Sequence, residues 1–235
     1  MAPSHVVSYC EDRHVPQVMT FIDQYFRAGH PLARRRDLFD WQYGNGAGVP
    51  YNVAIVVDPS SSEILGMLGF IDSRRYDPAL GSENCVWLTM WQVNPAARIP
   101  SLGFTLVRYV QEQVEHQYLA SSGIRAALKP MYRALRFAVM DLTHHFLLNP
   151  SVREHHIAVM PQGLSPNPPV ASSGLQLVRV TKSDFVFDVP SGSTGLARTP
   201  AKSATYFYNR YVCPSAPAEK SALLKSTILV PLLKL

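Results

Sequence analysis

Residues 86–104 read VWLTMWQVNPAARIPSLGF, and the order of chemistry along them decides the fold. Val86 to Val93 is an apolar run of strand length that closes on Asn94-Pro95. A short loop carrying Arg98, Pro100 and Ser101 follows. Leu102-Gly103-Phe104 then opens a helix whose apolar positions, Leu106, Val107, Val110 and Val114, fall on one side. A buried strand, a tight loop and a fresh helix N-terminus make an anion site. The first-turn N–H groups have no partner inside the helix, and the helix dipole favours negative charge there. Strand–loop–helix connections also occur throughout α/β proteins without any ligand, so the stretch is more specific for architecture than for chemistry.

Upstream, Val15 to Phe26 has apolar residues at helical spacing and stops at Gly29-His30-Pro31. Asp37 to Tyr43 is a short aromatic-rich helix, and Gly44 to Gly48 a glycine-rich loop. Tyr51 to Val57 and Ile64 to Ile71 flank the turn Asp58-Pro59-Ser60-Ser61-Ser62 and predict an antiparallel hairpin. Arg74 to Asn84 is a polar connection. Downstream, the pattern predicts a helix from Phe104 to Tyr118, a short strand from Gly123 to Ala127 and a short helix from Lys129 to Phe137. A strand from Val139 to Leu148 closes on Asn149-Pro150. Together these predict a mixed α/β sheet flanked by helices. Residues 151–173 are proline-rich and read as a linker, with one further hairpin over Leu175 to Val189.

The chain has 235 residues, of which 47% are hydrophobic and 17% charged, an ordinary globular profile. The N-terminus has no long apolar core, and no uncharged apolar run approaches the roughly 20 residues that span a bilayer. The expectation is a cytoplasmic protein without a transmembrane segment. All of the net charge of +5 sits in residues 191–235, where six Lys and Arg face Glu219 alone. The main body is therefore neutral, and no interleaving of aromatics with arginines suggests a nucleic-acid partner. Cys10, Cys85 and Cys213 are far apart, without metal-ligand spacing. His144-His145 and His155-His156 are adjacent pairs, whose side chains on a strand point to opposite faces; no metal is expected.

Several stretches share a likeness: His30-Pro31-Leu32, Phe39-Asp40-Trp41-Gln42-Tyr43, Ile64-Leu65-Gly66-Met67-Leu68-Gly69-Phe70, Tyr132-Arg133-Ala134-Leu135-Arg136-Phe137 and Leu147-Leu148-Asn149-Pro150. With the 86–104 stretch they resemble the GNAT superfamily of N-acetyltransferases over roughly residues 5–160. Within it they resemble a bacterial subgroup that acylates sugars for surface polysaccharides. The resemblance implies a GNAT-like mixed sheet, splayed at its centre, that holds acyl-CoA in the wedge. It implies a GNAT-like domain over 1–150, the linker over 151–173 and a partial or altered second GNAT-like domain over 174–235.

The same resemblance implies roles. Val93 would lie along the pantetheine arm, and Arg98, Pro100, Ser101, Leu102, Gly103 and Phe104 along the pyrophosphate of acetyl-CoA or another acyl-CoA. Tyr132 matches the general acid that protonates the leaving thiolate. His30, Trp41 and Trp91 are the candidates for contacting a small-molecule amine acceptor, an amino sugar or nucleotide sugar. A homodimer is left open. Trp87 and Trp91, four apart on one strand, are expected to share a sheet face and either line the cleft or fill the core.

The chain also departs from the pattern. The loop offers one glycine and Pro100, which removes a donor. Arg136 stands where related sequences have glycine, and Arg125 stands at a place usually held by an asparagine-type residue. These departures favour an alternative, a non-catalytic GNAT-like binding module with weakened cofactor capture.

Overall fold

The computed structural model describes residues 5–141 and 203–212. The chain divides into two units, one over 1–123 with 180–227 and one over 124–179 with 228–235. The first holds a five-stranded mixed sheet in the order β1-β2-β3-β4-β5. Its strands are β1 Val6–Cys10, β2 Tyr51–Val57, β3 Ile64–Asp72, β4 Cys85–Val93 and β5 Tyr118–Ser121. The first four form an antiparallel meander, and β5 runs parallel to β4 after a helical crossover. Residues from Ile64 to Ile71 in β3 are all buried, as expected of a central strand covered on both faces.

Both faces carry helices. On one, α1 (Val15–Phe21), continued by a wide turn over Ile22–Phe26, buries Val15, Val18, Phe21 and Ile22. The short α2 (Pro31–Arg34) and α3 (Arg36–Tyr43) follow, and Phe39 and Tyr43 of α3 join the same cluster as Ile55, Met67 and Met90. On the other face, α4 (Leu102–Gln113) buries Leu102, Leu106, Val107 and Val110, each worth about 1.5–3 kcal/mol in area removed from water. The turns at Asp72, Asp77 and Asn94 are each opened by a side chain accepting from the backbone two residues on: Arg74 N to Asp72 at 2.9 Å, Ala79 N to Asp77 at 3.1 Å and Ala96 N to Asn94 at 2.9 Å.

Four expectations need correction. β1 was not foreseen; it is a five-residue edge strand whose alternation is interrupted by a register shift at Tyr9/Cys10. The helix predicted to reach Tyr118 stops at Gln113, because Val114 is extended and Tyr118–Ser121 pairs instead with Cys85–Leu88. The helical spacing that Tyr118 continues is overridden by the parallel ladder. The strand predicted over Gly123 to Ala127 is absent. Gly123 is left-handed and a 3-10 turn covers Ala126–Leu128.

The fourth correction concerns the two tryptophans. β3 and β4 slip register between Leu68 and Phe70, so that Thr89 and Met90 together oppose Gly69. This β-bulge adds one residue and resets the alternation. Ile71 pairs with Trp87, which packs in the cluster of Ile71, Tyr76 and Tyr206. Leu68 pairs with Trp91, whose ring lies on Gly103 of α4. Trp87 and Trp91 therefore face opposite sides of the sheet.

Residues 203–212 form α6 (Ala204–Phe207) and a wide turn over Tyr208–Val212. Tyr206 is buried edge-on to Tyr76 at 5.5 Å, and Asn209 Nδ2 donates to the Tyr76 carbonyl at 2.7 Å. In the second unit, α5 (Lys129–Ala134) ends at Leu135 and is followed by the left-handed Arg136. The strand expected over Val139 to Leu148 lies beyond the described residues after Asp141. So do the 151–173 linker, the Leu175 to Val189 hairpin, both histidine pairs and Cys213.

Candidate active site

Only part of β4 is paired on both edges. Its partner β5 ends at the pair Leu88↔Ser121, whereas β3 accompanies β4 as far as Val93. From Thr89 to Val93 no strand among the described residues lies against the edge that faced β5. The chain then turns through Pro95–Ala97 into α4.

The loop is held by backbone conformations unusual for its residues. Arg98 has φ 48° and Ser101 has φ 62°, the left-handed region that glycine occupies without strain. Ser101 caps α4 through its carbonyl, which accepts from Thr105 N at 3.1 Å; its side chain makes no cap bond. A left-handed residue entering a helix turns successive N–H groups to one side, the backbone concavity that binds anions. Leu102 is buried, Gly103 and Phe104 are half-buried, and Arg98, Pro100 and Ser101 are exposed. Gly103 admits the Trp91 indole. A Cβ there would lie 3.2 Å from the ring. Val93 is half-buried, and the Gln92 amide donates to its carbonyl at 2.8 Å.

The bulge is pinned from α3. The fully buried Tyr43 hydroxyl meets Thr89 Oγ1 at 3.0 Å, and burial pushes its pKa up to about 12. This approach needs Gly69, where a Cβ would stand 2.7 Å from Tyr43 Oη and 2.8 Å from Thr89 Oγ1. A lone glycine inside the strand pattern, Leu68-Gly69-Phe70, is a signal for such a close approach.

A cleft of about 1770 Å³ opens at the other end of the sheet. Its lining runs from Glu11 through Arg36, Asp40, Trp41 and the Gly44–Asn52 loop to Asp72, Arg75, Tyr76 and Asn209. Because β3 and β4 are antiparallel, Asp72 lies beside Val86 while Gly66 lies beside Val93. Loop and cleft are thus roughly 20 Å apart along the strands, and the bulge lies between them. One polar network on the cleft wall is fully answered. Arg36 bonds Asp12, Asp40 at 2.8 Å and the Tyr51 hydroxyl at 2.8 Å, and that hydroxyl reaches Asp40 at 2.8 Å.

No family model matches the sequence, and no curated protein does. Solved structures resemble its fold. An acetyltransferase from Trypanosoma brucei is 14% identical, with a TM-score of 0.46 over 61% of this chain and 99% of its own. An aminoglycoside 6'-N-acetyltransferase from Acinetobacter baumannii is 15% identical, with a TM-score of 0.46 over 62% and 98%. Glucosamine-6-phosphate N-acetyltransferase from Arabidopsis thaliana is 8% identical, with a TM-score of 0.41 over 63% and 100%.

Of the acceptor candidates, Trp41 lines the cleft, and its carbonyl accepts from Arg75 Nη2 at 2.9 Å. His30 caps α2 instead, its Nδ1 accepting from Leu32 N at 3.1 Å, with its ring edge-on to Phe26 at 5.5 Å. Burial and then Arg27 hold its pKa below the usual histidine value, which suits a neutral acceptor nitrogen. Trp91 packs on α4, away from the cleft-side helices. In its own unit, Tyr132 is buried and stacks edge-on with Phe137 at 5.3 Å, while Phe137 N donates to the Tyr132 carbonyl at 3.0 Å. Arg136 has φ 64°, so the glycine of related sequences would sit there without strain. Cys10 is buried, and burial pushes its thiol up to about 12, far from a nucleophile's range. No described helix is long and apolar enough to cross a membrane, and no group of three metal-binding side chains occurs among the described residues.

Proposed function

We propose that the chain is an N-acyltransferase that moves an acyl group, acetyl in the simplest case, from acyl-CoA to an amine. The observation that carries this reading is the half-open β4: a bulge at Thr89–Met90, an edge to Val93 that no strand among the described residues pairs, then a turn into a helix N-terminus. In this reading the donor pyrophosphate rests on the amides of 101–104 with Arg98 beside them. The pantetheine arm takes the strand edge left free by β5, and the thioester reaches the bulge. An acceptor amine attacks the thioester carbonyl. The C–N bond forms, the C–S bond breaks, the thiolate takes a proton from Tyr132 and the amine gives its proton to water. Most of the acceleration comes from positioning and from amide polarisation of the carbonyl.

An amino sugar or nucleotide sugar of a surface-polysaccharide pathway is the acceptor that the subgroup resemblance favours. The division into a catalytic region over 1–150, a linker and a second GNAT-like region over 174–235 belongs to the same proposal.

A second reading has its own support. Pro100 lacks a donor, the Gln92 amide already occupies the Val93 carbonyl, and two non-glycine residues hold the loop left-handed. These features favour a binding module that has kept the fold and captures the cofactor weakly. Calorimetric titration with acetyl-CoA separates the two: saturable heat supports the enzyme, and none at millimolar ligand supports the module. Tyr132→Phe is expected to lower kcat by about 10²-fold while leaving acetyl-CoA affinity within about twofold. An unchanged kcat removes Tyr132 from the reaction.

A further inference from the structure

One element of the first unit comes from far along the chain. Residues 203–212 pack on the turn that follows β3, where Tyr206 is 2% exposed and joins Ile71 and Tyr76, with Trp87, Phe207 and Tyr211 against them. The contact is polar as well as apolar. Ser203 Oγ donates to the Asp77 carboxylate and accepts from Tyr206 N at 3.0 Å. Tyr76 is itself held in place. Its N–H donates to the Ser73 carbonyl at 3.1 Å, the Tyr206 ring meets it edge-on at 5.5 Å, and the Arg210 guanidinium covers it at 4.9 Å. A segment with a buried ring between hydrogen-bonded ends is a fixed wall rather than a loose tail.

Asn209 is the residue through which this segment reaches the 1770 Å³ cleft. The rest of the lining lies between Glu11 and Tyr76, so Asn209 enters it from 133 positions beyond Tyr76. It is half-buried, and its Nδ2 donates to the Tyr76 carbonyl at 2.7 Å. A carboxamide carries two donor hydrogens and an oxygen with two lone pairs. The Tyr76 bond uses one hydrogen and fixes the plane of the group. A ligand that meets it therefore finds a pre-organised handle.

The charged side chains of the lining are answered within the fold. Arg36 is paired with Asp12 and Asp40, Arg74 with Asp72, and Arg13 with Glu11. Arg75 donates to the carbonyls of Gln42 and Trp41, both at 2.9 Å. Elsewhere in the lining, Asn45 Nδ2 donates to Asn52 Oδ1 and to the Pro50 carbonyl, both at 2.8 Å. A cleft with paired charges and oriented carboxamides favours neutral ligand groups that both donate and accept, which is the chemistry of a hydroxyl. We propose that Asn209 is a specificity-determining residue, whose carboxamide hydrogen-bonds a hydroxyl group of the acceptor, and that residues 203–212 are the part of the chain that puts it there. That the ligand is the acceptor rests on the acyltransferase reading; that the cleft takes a hydroxylated ligand through Asn209 does not.

The test compares two ring amines on the full chain: glucosamine, with hydroxyls, and cyclohexylamine, without them. Thiol release from acetyl-CoA gives kcat and KM, and saturation-transfer NMR gives binding without turnover. Asn209→Ala is expected to raise the KM for glucosamine about fivefold, the worth of one hydrogen bond. kcat, the KM for acetyl-CoA and the KM for cyclohexylamine stay as they are. Asn209→Asp, close in size, keeps accepting oxygens and gives an intermediate KM; it decides the matter if the alanine variant does not fold. A glucosamine KM that neither variant changes overturns the assignment and leaves the acyltransferase reading standing. A KM that rises equally for both amines marks a role in folding alone and overturns it too. So does a wild type that binds no glucosamine at millimolar concentration. Glucosamine that binds the wild type, loses about fivefold in affinity with Asn209→Ala and is never acetylated supports the hydroxyl site and removes the acyltransferase reading.

Discussion

Within β4, Cys85 to Leu88 and Thr89 to Val93 have similar composition and opposite surroundings. The first half is paired on both edges, with Cys85, Val86 and Leu88 buried. Among the described residues the second half is paired with β3 alone, and four of its five residues are half-buried. Each half has its tryptophan, so hydrophobicity does not separate them. The bulge does, together with the early end of β5 at Ser121, just before the left-handed Gly123. A strand becomes core where both neighbours keep pace with it and becomes a site where one neighbour stops.

The sharpest way to break that contrast is at the junction. Gly69→Ala places a Cβ within 2.8 Å of both Tyr43 Oη and Thr89 Oγ1. Tyr43 is fully buried and cannot retreat, so the cost is overpacking, about 2–3 kcal/mol. Urea unfolding measures it. Gly66→Ala is the comparison on the same strand, where a Cβ would meet Leu106 Cδ1 at 3.3 Å, the end of a side chain that can shift. Equal costs at the two glycines would mean that the bulge is not held from α3.

Tyr43→Phe tests the pin itself. It leaves the Thr89 hydroxyl with one partner fewer at a half-buried site, at a cost of about 1–2 kcal/mol. Thr89→Val added to it is expected to recover part of that loss, because both ends of the bond are then gone. The variant also has a pH signature. Burial raises the Tyr43 pKa from 10.0 to about 12. Between those values the unfolded chain gives up its proton and the folded chain keeps it, so stability falls as pH rises through that window. Tyr51 and Tyr206, raised to about 12 chiefly by burial, share the decline. Tyr43→Phe is therefore expected to show a shallower loss between pH 10 and 12 than the wild type, and an identical slope would show that the hydroxyl is not sealed.

How far the sequence carries this picture differs from element to element. The β2–β3 hairpin is legible because Val53-Ala54-Ile55-Val56 and Ile64 to Ile71 are long, apolar and separated by an Asp-Pro turn; the strand bounds differ from the expectation by one residue at Asp72. The face of α4 is legible from its spacing. The bulge is not, because a period-2 pattern carries no mark of an inserted residue, and for that reason the spacing puts Trp87 and Trp91 on one face where the fold puts them on two. β5 is hidden because Tyr118 continues a helical spacing and only the tertiary ladder with Cys85 decides against it. Arg210 could not be seen at all. Its surroundings depend on Tyr76, 134 positions away in the chain, whose ring it covers.

The smallest expected effect lies at the far end of the open half, in the loop that leaves Val93. Ser101 holds φ 62° and uses no side-chain bond to cap α4. A non-glycine residue in that region carries roughly 1–2 kcal/mol of strain. Glycine removes it and adds about 0.5–1 kcal/mol of unfolded-chain entropy. Ser101→Gly is thus expected to stabilise the protein by about 0.5–1 kcal/mol, and Ser101→Ala to give no gain, since the Cβ that causes the strain remains. Urea midpoints for the two variants read this directly. If glycine gains nothing over alanine, the loop relaxes out of the left-handed turn in solution. The amides of 101–104 then do not converge, and the open edge of β4 leads to no anion site. If glycine does gain, the strain is a property of the loop as folded, and acetyl-CoA titration of the same variant tells whether Ser101 was holding the donor site open or weakening it.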